Sequence, residues 1–138
     1  MVIRWRMDDM AGETEKITIN LGFIDLGQID LLVQEGFYSN RTDFIRTAIR
    51  NQLTTHADVV KQTVARKTMV LGLQQYNRRD LEAVQKAGEK LQIQVLGMAV
   101  ISDDVTPELA KATIDSIIVL GALRASRAVK SALSDRIR

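Results

Sequence analysis

The chain has 138 residues, 46% hydrophobic, with 19 Lys/Arg against 17 Asp/Glu, one histidine and no cysteine. That size holds one modest domain or two small ones; disulfides and thiolate metal sites are excluded, and His56 by itself cannot form a metal centre. No secretory leader and no bilayer-length apolar run is visible, so the expected setting is a bacterial-type cytoplasm.

Residues 1–15 read as a flexible arm, in which Arg4-Trp5-Arg6 has the composition of a groove-reaching basic segment. Met7 and Met10 are alternative starts, which leaves open whether residues 1–9 are native. Lys16-Ile17-Thr18-Ile19-Asn20-Leu21 then alternates polar and apolar. Period two puts Ile17, Ile19 and Leu21 on one face of a strand and Lys16, Thr18 and Asn20 on the other. A strand this short needs a partner for its N–H and C=O groups, and no second strand follows at hairpin distance. The economical partner is a second copy of the chain.

Two helices follow. Asp25 with Gln28 is a capping pair for the first, whose stripe is Ile29, Leu32 and Val33, and Gly36 suits its left-handed end. Asn40 with Asp43 caps the second, whose stripe is Phe44, Ile45, Ala48, Ile49 and Leu53, extended toward residue 66 by Ala57, Val60 and Val64.

The stretch from Lys16 to Leu21 and on through Gly36-Phe37-Tyr38-Ser39-Asn40-Arg41-Thr42-Asp43-Phe44-Ile45-Arg46-Thr47-Ala48-Ile49-Arg50 resembles a ribbon-helix-helix DNA-binding domain of the CopG/Arc/MetJ type. The resemblance covers residues 16–53. It implies that two strands pair as a ribbon in the major groove, with Lys16, Thr18 and Asn20 reading base edges. It also implies a phosphate held at the start of the second helix, at Asn40, Arg41 and Thr42, where free amides and the helix dipole favour an anion. Ile17, Ile19, Leu21, Phe44, Ile45 and Ile49 are then the expected dimer core. Residues 1–56 carry a net charge of −2 and residues 57–138 of +4. Phosphate binding therefore depends on Lys16, Arg41, Arg46 and Arg50 gathering on one face, or is modest.

Beyond residue 66 the period changes. Val-Leu-Gly occurs at 70–72, 95–97 and 119–121, each within an apolar run of the kind found in strands buried on both faces. Helix starts follow at Asn77/Asp80, Thr106-Pro107-Glu108 and Ser126. The expected organisation is a ribbon-helix-helix domain over 16–66, with an extended second helix, and three β–α repeats over 67–138. The overall class is α/β, as a small parallel sheet or a solenoid weakly similar to leucine-rich repeats. Each loop has one glycine, too few to cradle phosphate, so the expected role is structural, where the strand ends against its neighbours.

No catalytic constellation is present: Asp103-Asp104 diverge and no serine has a histidine partner. The expectation is a non-enzymatic, cofactor-free, sequence-specific transcriptional regulator of double-stranded DNA, a homodimer or larger homo-oligomer. An unknown effector or protein partner at residues 67–138 stays open. Nickel-responsive NikR regulators join such a domain to a metal-binding one, but this chain lacks their ligands. Two alternatives remain. One is an assembly protein polymerising through the C-terminal repeats; the other is the antitoxin of a toxin–antitoxin pair.

Overall fold

The computed structural model describes residues 14–138 and the Ile3–Arg4 backbone. The rest of the N-terminal arm, including Trp5 and Arg6, lies outside the described residues. The described elements are β1 (Ile3–Arg4), α1 (Phe23–Gln34), α2 (Arg41–Thr55), α3 (Ala57–Arg66), β2 (Val70–Tyr76), α4 (Arg78–Lys86), β3 (Leu91–Ile101), α5 (Pro107–Thr113), β4 (Ile114–Arg124) and α6 (Arg127–Ala132). They fall into two compact units. One spans 15–63; the other runs from Val64 to the C-terminus and includes the β1 pairing.

The larger unit is a mixed helix-and-strand fold built on three parallel strands in the order β2-β3-β4, with β1 antiparallel at the β2 edge. The pairing of Ile3–Arg4 with Gln74–Gln75 replaces part of the flexible arm expected there. The three Val-Leu-Gly tripeptides stand side by side: Val70, Val95 and Val119 are cross-strand partners, as are Leu71, Leu96 and Leu120, and Gly72, Gly97 and Gly121. The glycines lie within the strands rather than at their ends. All three have φ between 124° and 137°, a region that side chains rarely enter.

Alternation sends Ile93, Val95, Ala99 and Ile101 into a single core with Tyr76, Ile114 and Ile117. Leu81 of α4, Leu109 and Ala110 of α5, Val129 of α6 and Leu133 just after it complete that core, so the three helices cover one face. The expectation of strands buried on both faces fails at the other face, where Leu71 is 67% and Leu120 54% exposed. Leu73 and Met98, also cross-strand partners, are buried yet outside the main core.

Local caps explain where the helices begin. Asn77 accepts a hydrogen bond from the Asp80 amide at 2.9 Å, and the Asp80 carboxylate accepts one from the Asn77 amide at 3.0 Å. Thr106 and Ser126 each cap the helix that follows, accepting from Leu109 and Val129 at 3.1 Å. Helix α5 runs into β4 without a loop, so its last carbonyls need outside donors. Lys90 Nζ donates to the Ala112 carbonyl at 2.6 Å, and Arg136 Nη1 donates to the Lys111 and Ile114 carbonyls at 2.6 and 2.7 Å. The C-terminal residues also pair with β4: Ile117 N–H donates to the Arg136 carbonyl and Arg138 N–H to that of Ile117, both at 2.9 Å.

Candidate nucleic-acid interface

Residues 14–22 belong to no helix or strand in the single chain, and the strand over 16–21 is expected only between two copies. A strand exists only through its inter-strand hydrogen bonds, and these residues find no such ladder within the single chain. Lys16, Thr18 and Asn20 are exposed, and so are the apolar residues between them: Ile17 is 72%, Ile19 57% and Leu21 40% exposed.

Helix α1 begins at Phe23, with Gly22 preceding it and no side-chain cap, so Asp25 lies inside the first turn rather than at the cap. There its charge still favours the positive end of the helix dipole. Ile29 is buried while Leu26, Leu32 and Val33 are half-buried. Gly36 has φ +85°, and the Gly36 and Phe37 amides donate to Val33 and Leu32, closing the helix as expected. Of the expected dimer core on α2, Phe44 and Ile45 are half-buried and Ile49 is exposed. Tyr38 meets Phe44 edge to face, with centroids 5.0 Å apart.

The start of α2 is held by side chains on both sides. Asn40 Oδ1 accepts from the Asp43 amide at 2.8 Å. The Asp43 carboxylate accepts from the Ser39 amide at 2.9 Å, one residue earlier than a capping box requires. The Arg41 and Thr42 amides occupy first-turn positions, which have no intrahelical acceptor. The Arg41 side chain turns to α1: Nε donates to Asp30 Oδ1 at 2.7 Å and Nη2 to Asp30 Oδ2 at 2.8 Å. The guanidinium holds the Asp30 carboxyl below its ordinary range, and Asp30 raises Arg41 in turn. Arg46 and Arg50, four apart on α2, share a face that helical geometry does not give to Arg41. Arg41 thus does not join Arg46 and Arg50 in one patch on α2. The helix also does not extend unbroken to 66; it is interrupted at His56 and resumes at Ala57.

The sequence reading missed the Asp30–Arg41 pair because the two residues are eleven apart with a turn between them. It had no signal for β1 either.

A segment of alternating polar and apolar residues followed by two helices joined at a capped turn is the arrangement of one half of a ribbon-helix-helix unit. The chain belongs to the ribbon-helix-helix transcriptional regulator family, whose model matches residues 12–130. It is similar to the uncharacterized protein MJ1679 of Methanocaldococcus jannaschii, at 30% identity over 77 residues, 56% of this chain and 79% of that protein. No solved structure matches it. No helix among the described residues is long and apolar enough to cross a membrane.

Proposed function

We propose that this protein is a sequence-specific, non-enzymatic DNA-binding regulator of transcription that acts as a homodimer, with residues 16–21 of two copies pairing as a ribbon in the major groove. The observation that carries this reading is the exposure of Ile17, Ile19 and Leu21 in a single chain. Three large aliphatics in water lose the stabilisation of burial, about 1.5–3 kcal/mol each. Pairing with a second copy would cover them and satisfy the backbone together. Lys16, Thr18 and Asn20 then face the bases, and the first amides of α2, around Asn40, Arg41 and Thr42, hold a backbone phosphate. Phe44, Ile45 and Ile49 complete the buried seam. Light scattering of the full chain, together with selection of bound duplexes from random DNA, tests this. A monomer with no preferred site would overturn it.

A second reading draws on the unit formed by residues 64–138. The second face of the sheet is apolar and exposed at Leu71 and Leu120, whereas parallel sheets are ordinarily covered on both sides. A partner there, or association of several dimers, accounts for that face. Light scattering that yields a discrete tetramer or larger supports it; a strict dimer restricts the chain to the ribbon seam.

A further inference from the structure

The family reading makes every cation near the start of α2 a candidate phosphate ligand, yet one of them is already engaged. Arg41 is the first residue of α2 and Asp30 lies in the middle of α1. Two parallel N–H···O bonds of 2.7 and 2.8 Å join them in the fork geometry that guanidinium and carboxylate share. Both partners are about half exposed, so little desolvation opposes the pair. The pair bridges the connection between the two helices, and it places a carboxylate against the one cation nearest the Asn40–Thr42 amides. An arginine neutralised in this way releases no counterions when a phosphate arrives.

We propose that Asp30 and Arg41 form a strut that sets the α2 N-terminus and keeps the Arg41 charge off the DNA backbone, leaving the α2 amides to hold the phosphate without it. Asp30 is thereby a positioning residue, and Arg41 belongs to the scaffold rather than to the contact surface. This rests on the DNA-binding reading above. It also fits the unit of residues 15–63, whose five Lys/Arg face six Asp/Glu, because a phosphate seat made of amides needs no net positive charge.

The test measures the affinity of the full-length protein for its best selected duplex between about 50 and 200 mM salt. Arg41→Gln should leave the slope of log affinity against log salt unchanged, because no phosphate contact is lost. Asp30→Asn should steepen the slope by about 2 per dimer, as two freed arginines each neutralise a phosphate, at roughly 0.9 per contact. Over that salt range the change amounts to roughly tenfold in affinity. Arg41→Lys, which keeps the charge but loses the fork, should match the parent's slope. A slope flattened by about 2 in Arg41→Gln would overturn the proposal and make Arg41 a phosphate ligand, and an unchanged slope in Asp30→Asn would overturn it as well. If the parent binds no duplex, the functional reading fails and takes the phosphate part of the proposal with it. The strut is then judged by urea unfolding of the two single variants and the double: non-additive midpoints retain it, and additive ones remove it.

Discussion

A Cβ atom added to Gly97 would lie 2.2 Å from the carbonyl oxygen of Gly72, its cross-strand partner. The same relation recurs one strand on, where a Cβ on Gly121 would lie 2.0 Å from the Gly97 carbonyl oxygen. Both obstacles are backbone and cannot rotate away, so Gly97→Ala and Gly121→Ala must push the strands apart. Each is expected to cost about 4 kcal/mol or more, the range of the most damaging single substitutions. Gly72 has nothing within 4 Å of its Cβ position, so Gly72→Ala bears only the strain of φ +133°, about 1–3 kcal/mol. Urea midpoints decide, and equal losses at all three positions would discard the steric account.

Thr68 has φ +55°, the one positive value among non-glycine residues described. Its amide donates to Ala65 and the next amide to Val64, the same closure that Gly36 and Gly88 make for α1 and α4. Thr68→Gly removes the left-handed strain while loosening the unfolded chain. The expected net gain is about 0.5–1 kcal/mol. A loss in thermal or urea unfolding would show that the Thr68 side chain contributes more than its backbone costs.

Tyr76 is buried, and its hydroxyl donates to Gln74 Oε1 at 2.8 Å. Burial, with Asp80 adding to it, pushes the phenol above its ordinary value. Its folded-state pKa therefore exceeds that of the unfolded chain, so the contribution is complete below about pH 10 and is lost as pH rises above it. Tyr76→Phe should remove that alkaline decline. At neutral pH it should cost about 1–3 kcal/mol, since the buried Gln74 carbonyl loses its donor. An unchanged alkaline limb in the variant would assign the decline to another group.

For the proposed ribbon, Lys16→Ala, Thr18→Ala and Asn20→Ala should each weaken binding to the preferred duplex by roughly 1–3 kcal/mol while leaving helix content intact. Competition with random duplex is the control. Parental discrimination in all three variants would remove base reading from this segment.

Ile19→Lys places a charge in the middle of the expected seam. In a single chain Ile19 is 57% exposed, so the variant should fold and fail only in association. Sedimentation should show the dimer lost, and DNA binding with it. A variant that remains dimeric at low concentration would exclude residues 16–21 as the seam.

What the sequence by itself determined is what depends on neighbours three or four residues away. Asn40, Asn77, Thr106 and Ser126 each accept from the amide three residues on, and Gly36 closes α1, because caps are local bonds between residues adjacent on one turn. The repeated Val-Leu-Gly likewise announced equivalent strands, and the ladder sets the three copies in register. The tertiary structure decided what needs residues brought from afar. It placed the glycines inside the strands, where backbones meet, gathered all three helices on one face, and added Ile3–Arg4 and the C-terminal residues to the sheet. It also joined Asp30 to Arg41 across a turn. Residues 16–21 mark the boundary between the two. Their alternation is written in the sequence, but a ladder belongs to a pair of strands, and within one chain these residues form none.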